Sequence, residues 1–226
     1  MKITYYGHSS FGIETMGRHL LFDPFISMNE LAAAIEVDRI PADWILLSHG
    51  HGDHVADAAA IARRTGAPIV SNYEIVTWYE KQGVPGHGMN HGGKWAFDFG
   101  KARYVNAVHS SMLPDGSYGG NPGGFVIWNE ECSFYFAGDT ALTMDMQLIP
   151  MTCPSLDFAI LPIGGNFTMD YADALIASDF IRCNTVVGCH YDTFGYIKID
   201  HDAVKKAFSD RGKSLILLPV GGSMEL

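Results

Sequence analysis

The sequence predicts an α/β fold built from two similar halves. Short apolar runs typical of strands alternate with amphipathic segments typical of helices, and the order of strands followed by a helix occurs twice along the chain. The chain has 226 residues, of which 47% are hydrophobic, so it can bury a full core. That length fits one large domain as well as two small ones.

Three short strands separated by turn residues open the first half and predict a small antiparallel sheet: KITYY, FGIET and HLLFD. A helix near Asn29 to Glu36, the strand WILLS and a helix from about Val55 to Arg64 follow, the last closed by Gly66 and Pro68. This half then has the strand PIVS, a helix through YEIVTWYEKQG, and strands around WAFDFG and ARYVNAVHS. The glycine-rich segment GVPGHGMNHGG is predicted to be a loop with solvated histidines, His87 and His91.

A second glycine-rich loop, PDGSYGGNPGG, precedes the second half. Its predicted strands are FVIWN, CSFYFAG, LDFAILPIGG, TVVGCH and SLILLPVGG. Its predicted helices lie near Met144 to Ile149, from Tyr171 to Ile181 and from His201 to Phe208.

Charge and cysteine content exclude several classes of protein. The net charge of -10, with fifteen scattered Lys and Arg residues, would repel a phosphate backbone, so nucleic acid is not expected as a partner. The four cysteines have no CxxC spacing and are too few to build a fold of this size from disulfides. The sequence shows neither a secretory signal pattern nor an apolar run of membrane-spanning length, so we expect a cytoplasmic protein without a membrane partner.

The segment HGHGDH, residues 49–54, places four ligand-type side chains directly after the strand WILLS. His49 and His51 alternate along a strand-like end and can point to the same side, while Asp53 and His54 begin the turn into the next helix. Imidazole nitrogens and carboxylates bind Zn²⁺ at roughly 2.0–2.2 Å. Glycines between these residues argue against an ordinary solvated loop, and the pattern predicts two adjacent metal centres rather than one.

HGHGDH resembles the HxHxDH signature of the metallo-β-lactamase superfamily. Later ligand positions of that superfamily are matched by His109 in NAVHSS, Asp139 in FAGDT and His190 in VVGCHYDTF. YYGHSSFGIET, GGNPGGFVI and HYDTF are further similar to a branch of small bacterial metal-dependent hydrolases related to the ascorbate-phosphate lactonases. The resemblance covers nearly the whole chain, and so implies a single hydrolase domain over residues 1–226.

The resemblance implies a four-layer αββα sandwich, with the metals in a cleft at one edge of the two sheets. It assigns His49, His51 and His109 to a first ion and Asp53, His54 and His190 to a second. Asp139 would bridge the two ions. The implied cofactors are two divalent ions, Zn²⁺ first, with Mn²⁺, Ni²⁺ or Fe²⁺ as alternatives.

His109, Asp139 and His190 can each also be explained without a metal. Asp139 would serve as a helix cap, and His109 and His190 as buried hydrogen-bonding residues, if the HGHGDH segment were absent. With that segment present, the metal interpretation is favoured for all three. His8, in YGHSSF, matches a histidine that lies near the cleft in the related lactonases, and it is either catalytic or a buried residue under the site.

The predicted reaction is hydrolysis of a small ester, lactone or phosphoester by a metal-activated water, with a small molecule as the partner. Asp53 and Asp139 would orient the nucleophile, and a protonated His8 could stabilise the oxyanion. The loop from Ser110 to Gly123 would frame the cleft, while Lys198 is expected at the surface rather than on an anionic substrate.

Two other functions remain open, an iron-dependent redox enzyme and a phosphodiesterase or nuclease. A homo-oligomer is possible.

Overall fold

Two seven-stranded sheets form the centre of the protein, described here by a computed structural model of all residues from Met1 to Leu226. In chain order the strands are β1 (Lys2–Gly7), β2 (Ser10–Thr15), β3 (Arg18–Phe22), β4 (Trp44–Leu46), β5 (Ile69–Asn72), β6 (Gly86–Met89), β7 (Lys94–Phe97), β8 (Gly100–Asn106), β9 (Gly123–Trp128), β10 (Ser133–Phe136), β11 (Phe158–Pro162), β12 (Thr185–Cys189), β13 (Ser214–Ile216) and β14 (Ser223–Glu225).

The two sheets have matching plans. The first has the order β14-β1-β2-β3-β4-β5-β6, with antiparallel pairs up to β3 and parallel pairs from β3 to β6. The second has the order β13-β12-β11-β10-β9-β8-β7, with antiparallel pairs from β7 to β10 and parallel pairs from β10 to β13. This repeat of an antiparallel part and a parallel part confirms the prediction of two similar halves.

Helices follow the parallel strands, as crossover connections require. They are α1 (Gly52–Val55), α2 (Ala58–Thr65), α3 (Tyr73–Glu80), α4 (Ile149–Thr152), α5 (Tyr171–Phe180) and α6 (His201–Ser209). Side chains of the preceding residues cap three of them: Asn72 accepts a hydrogen bond at the start of α3, Asp170 at α5 and Asp200 at α6. Short 3₁₀ turns cover Glu30–Ala32, Val37–Arg39, Met144–Leu148 and Gly195–Ile197.

Three apolar clusters show that the layers are arranged α-β-β-α. The first lies between the sheets and joins Phe22 and Leu46 to Phe136 and Ile160. The second packs the outer face of the first sheet against α2 and α3, and the third packs the outer face of the second sheet against α5 and α6. The four-layer sandwich implied by the resemblance is therefore confirmed.

Several predicted elements differ from the structure. The helix predicted from Asn29 to Glu36 is a single 3₁₀ turn, because this segment has no continuous apolar face: Ala32 is buried but Leu31 is 51% exposed. The helix predicted from Val55 is divided between α1 and α2. The interruption lies at Asp57, whose carboxylate accepts backbone hydrogen bonds from Ile26 and Ser27. The helix predicted near Met144 is mainly a 3₁₀ turn.

Strands β6 and β14 were not predicted. The segment GHGM forms β6 beside β5 instead of a loop, and His87 stacks on Trp95 with ring centroids 4.9 Å apart. Gly86 is required because a Cβ atom there would lie 2.7 Å from the Val76 side chain of α3. The glycines therefore reflect close packing of a helix on a strand.

Truncation of Phe22 tests the contact between the two sheets. Its ring lies 4.8 Å from that of Phe136 and 6.0 Å from that of Phe134, both in the opposite sheet. We expect Phe22→Ala to lower the free energy of unfolding by about 3–5 kcal/mol, because it leaves a cavity in the core. Met151 is 75% exposed, so Met151→Ala is the control and should stay within about 0.5 kcal/mol of the wild type in urea titrations. Equal stability of the two variants would contradict this packing.

Candidate metal centre

All seven predicted ligands lie at the ends of strands or directly beyond them, along one edge of the sandwich. His49 and His51 follow β4, and Asp53 and His54 lie in α1, at the end of the first sheet. The second sheet supplies the other three after β8, β10 and β12: His109, Asp139 and His190. The carboxyl ends of the parallel strands of both sheets therefore meet at this site.

The possible ligand atoms form two groups that contain the predicted residues, and a third set joins Asp23 to His49 and His54. His49, His51 and His109 have nitrogen atoms within 4.8 Å of one another, and a second group joins Asp53, His54 and His190 with His8 over the same distance. In the first group, Nε2 of His49 lies 2.9 Å from Nδ1 of His51. The grouping matches the assignment implied by the resemblance, with His8 as an additional member.

Asp139 lies between the two groups. Its Oδ2 atom is 3.0 Å from Nε2 of His190, 3.3 Å from Nε2 of His54 and 3.6 Å from Nε2 of His109. The side chain is only 3% exposed. One carboxylate oxygen thus reaches nitrogen atoms of both groups, which is the position that a bridging ligand requires.

Gly138 permits this position. Its φ of +61° is the left-handed region, and a Cβ atom there would overlap the side chain of Ser48, which follows β4 in the first sheet. Only a glycine therefore lets the end of β10 approach the end of β4 closely enough for Asp139 to meet His54.

Asp23 and Ser48 orient His49 and His54, the two fully buried histidines among the predicted ligands. The Ser48 hydroxyl donates to Oδ2 of Asp23 at 2.6 Å, so the same hydroxyl oxygen accepts from Nδ1 of His49 at 2.9 Å. Nδ1 of His54 donates to Oδ2 of Asp23 at 2.8 Å. With both Nδ1 atoms acting as donors, the Nε2 lone pairs of His49 and His54 point into the cluster, as metal ligation requires.

The electrostatics of the cluster favour a cation. Burial lowers the pKa of His49 well below its usual value, and the neighbouring His54 lowers it further. Burial also acts to lower the pKa of His54, but the carboxylates of Asp139 and Asp23 outweigh it and raise that pKa well above its usual value. For Asp139, burial raises the pKa, while His190 and His54 lower it by more. The buried carboxylates therefore need positive charge beside them.

Three buried polar atoms of the cluster have no hydrogen-bond partner: Nε2 of His54, Oδ1 of Asp139 and Nδ1 of His190. Unpaired buried polar atoms are costly, and their concentration at one site indicates a group that would satisfy them. Nitrogen and carboxylate oxygen donors without a thiolate suit Zn²⁺, Mn²⁺, Ni²⁺ and Fe²⁺. The residues thus fit divalent metal ions.

His8 is buried under the second group of ligands. Its Nε2 atom lies 3.1 Å from Oδ2 of Asp53, and its Nδ1 atom lies 3.0 Å from Oγ1 of Thr193. Its backbone carbonyl accepts the N–H of His190 at 2.8 Å. His8, Asp23 and His190 all have positive φ values, 55°, 41° and 53°, which non-glycine residues adopt only when the surrounding contacts hold them there.

A cleft of about 480 Å³ opens above the cluster. Ligand residues form its floor, and the other lining residues are Ser110, Phe167, Phe194 and Tyr196. The loop predicted to frame the cleft, Ser110 to Gly123, contributes only Ser110 to this lining, and Lys198 is exposed and takes no part in it. The walls come instead from the segments that follow β11 and β12.

The model of a family described as the β-lactamase superfamily domain matches residues 2–190. This chain belongs to the metallo-β-lactamase superfamily. A UPF0173 metal-dependent hydrolase from Flavobacterium johnsoniae is 60% identical over 226 residues, and the match covers 100% of both chains. A second relative of the same name, from Methylacidiphilum infernorum, is 53% identical over 230 residues and is also fully covered. The chain is accordingly a metal-dependent hydrolase.

A solved structure agrees with this membership. Igni18, described as a novel metallo hydrolase from Ignicoccus hospitalis, superposes with a TM-score of 0.88 at 34% identity. The match covers 100% of this chain and 98% of Igni18. As for membrane insertion, none of the helices is long and apolar enough to cross a bilayer.

Sequence reasoning about this superfamily member missed the residues that support the ligands. Asp23 directly follows the apolar end of β3 in HLLFD, the same signal that identified the ligands themselves, and it could have been found in that way. No comparable signal marks Phe167, Phe194 or Tyr196, because isolated aromatic residues in loops are common and only the fold brings these three to one cleft.

Substitution of Asp23 tests whether this carboxylate holds the ligand histidines in position. Oδ2 of Asp23 accepts from both the Ser48 hydroxyl and Nδ1 of His54, and Oδ1 accepts from the Ser48 backbone N–H, so in Asp23→Asn the amide NH₂ group faces a donor in either orientation. We expect metal affinity to fall by about 10–100-fold, measured by competition with a chromophoric chelator. The control is Asp202→Asn, in the exposed first turn of α6, which should bind metal as the wild type does. Unchanged affinity in a folded Asp23→Asn protein would refute this role.

Proposed function

We propose that the protein uses two divalent metal ions to hydrolyse a small ester, lactone or phosphoester. The observation that carries this proposal is the position of Asp139, whose carboxylate lies within 3.6 Å of nitrogen atoms of both ligand groups. A mononuclear site would not need a second cluster of three protein ligands beside the first. The relatives' name, metal-dependent hydrolase, supports the reaction class.

The proposed ligands follow the two groups. His49, His51 and His109 would hold the first ion, and Asp53, His54 and His190 the second, with Asp139 shared. Zinc is the first choice for histidine and carboxylate ligands, and manganese, nickel and iron fit the same donors. When bound, such a pair of ions lowers the pKa of a bound water from 15.7 towards about 7. The ions also polarise the oxygen of the scissile group.

The protein's own residues would position the reactants. Asp53 is 28% exposed and lines the cleft, so its carboxylate can accept a hydrogen bond from the attacking water. Asp139 is buried and holds its orientation through the three imidazoles around it. Asp53 would take the proton that the attacking water releases and pass it to the leaving alkoxide in the same cleft.

His8 would act as a positioning residue. Both of its ring nitrogens are occupied by Asp53 and Thr193, and it does not line the cleft. Burial lowers the pKa of His8 to about 4, although the hydrogen bond that its ring donates to Asp53 opposes that shift. A neutral, enclosed imidazole suits the orientation of Asp53 better than the stabilisation of an oxyanion.

A small molecule would be the substrate. The cleft of about 480 Å³ has the size of a small-molecule site, and no Lys or Arg lines it. Nucleic-acid channels need such cations along the phosphate backbone. The iron-dependent and nuclease alternatives gain no support from a specific feature of the site.

Metal content tests the dinuclear proposal. We expect about two divalent ions per chain by elemental analysis, and a large fall in melting temperature on chelation, because the ions stabilise only the folded state. His51→Ala should lose metal and reduce kcat/KM by about 100-fold or more for the best member of a panel of lactones, thioesters and phosphodiesters.

The matched control is His87→Ala on β6, outside both ligand groups, which should keep full metal content and activity. Asp139→Asn should lose activity and the second ion together. A metal-free protein whose melting temperature is insensitive to chelators would contradict the proposal.

His8→Ala tests the positioning role. Without the imidazole, Asp53 loses its hydrogen bond at 3.1 Å, so we expect lower occupancy of the second ion and a roughly 10–100-fold fall in kcat with little change in KM. His8→Gln keeps a donor for Asp53 and should recover part of the loss. His201→Ala, at the exposed start of α6, is the control. Full metal occupancy and kcat in His8→Ala would exclude this role.

A further inference from the structure

A second cavity lies next to the cleft, on the side of α1, α2 and α3. Its volume is about 520 Å³, and its walls are mainly apolar: Phe25, Met28, Val55, Ala59, Trp78 and Pro114. We call this cavity the apolar groove. Asp53 lines both the apolar groove and the cleft, so the two cavities meet at the candidate metal centre.

Aromatic contacts link the linings of the two cavities. Phe25 of the apolar groove lies 6.4 Å from Phe194 of the cleft, measured between ring centroids. Both rings also pack against the imidazole of His8, at 5.5 Å and 5.2 Å. Apolar residues of the two adjacent cavities therefore contact one another beside the second group of ligands.

The apolar groove has no Lys, Arg or His in its lining, and Asp53 is the one charged residue there. A carboxylate or phosphate held in the groove would lose its hydration without gaining a partner. The groove therefore favours an uncharged apolar group in the part of the substrate that it holds.

Resting on the hydrolase function proposed above, we propose that the substrate is an uncharged carboxylic ester whose apolar acyl chain lies in the apolar groove. Water adds its oxygen to the acyl carbon, the bond from that carbon to the alkoxy oxygen breaks, and the alcohol leaves with a proton from the water. The products are a carboxylic acid and an alcohol.

Buried aromatic rings in the apolar groove favour one orientation of the ester. Phe25 and Tyr79 in the wall of the apolar groove are only 6% and 2% exposed, which suits a retained chain. Phe167 and Tyr196 on the far side of the cleft are 50% and 81% exposed, and their rings lie 6.4 Å apart. The open aromatic side suits an alcohol that departs into solvent.

Two measurements on the zinc-loaded enzyme test this inference. The first is kcat/KM for p-nitrophenyl esters from acetate to decanoate, with p-nitrophenyl hydrogen succinate as the anionic comparison. The second is calorimetric binding of unreactive 2-alkanones of increasing length, which does not depend on catalysis. We expect both to rise about two- to fourfold for each methylene until the groove is filled, because each buried methylene contributes about 0.8 kcal/mol at most.

Met28→Glu places a charge in the apolar groove at a residue that is 73% exposed, so the fold should tolerate it. We expect the decanoate-to-acetate ratio of kcat/KM to fall at least tenfold and the chain-length dependence of 2-alkanone binding to flatten. Met151→Glu is the control, since Met151 is 75% exposed and lines neither cavity, and it should match the wild type.

The outcomes separate this inference from the proposed function. Hydrolysis without chain-length preference, or a preference for the succinate ester, would overturn the inference and leave the hydrolase function standing. Chain-dependent 2-alkanone binding that is lost in Met28→Glu would support the groove even if no ester were cleaved. Binding independent of chain length would overturn it in either case.

Discussion

The structure depends on one electrostatic constraint, which is that imidazoles and carboxylates buried together need a shared positive charge. Asp139 is 3% exposed and lies among three imidazoles, while Asp23 is fully buried behind His54. Removing such groups from water is costly unless they are paired, and three atoms of the cluster have no hydrogen-bond partner. Divalent ions would satisfy both needs, because they accept the nitrogen lone pairs and offset the charge of the carboxylates.

The fold meets this constraint by bringing two sheets together at their carboxyl ends. Each sheet supplies only part of the cluster, so neither half could form it alone. Gly138 allows the close approach of the two strand ends, and the left-handed backbone of His8, Asp23 and His190 turns these residues into the site. The packing of Phe22 against Phe136 between the sheets provides the rigidity that holds these strained residues in place.

The same arrangement explains how one catalytic centre could select its substrate. The ligands fill the floor of the cleft and leave its walls to residues that take no part in chemistry, such as Phe167 and Tyr196. Under the proposed function, selectivity would come from the size and apolar character of the surrounding cavities rather than from the ligands. The apolar groove beyond Asp53 is the feature of this chain on which the proposed selectivity depends.

The sequence by itself determined the α/β class, the two similar halves and the four residues of HGHGDH, because strand periodicity and this motif are local patterns. The resemblance to the superfamily pointed to His109, Asp139 and His190, which converge with them. Only the tertiary structure decided which residues support and surround them. Asp23 reaches His54 through the parallel pairing of β3 with β4, and Phe25 meets Phe194 across some 170 residues of chain. One error has the same origin: GHGM forms β6 because Gly86 packs under Val76, a contact between elements that no local pattern records.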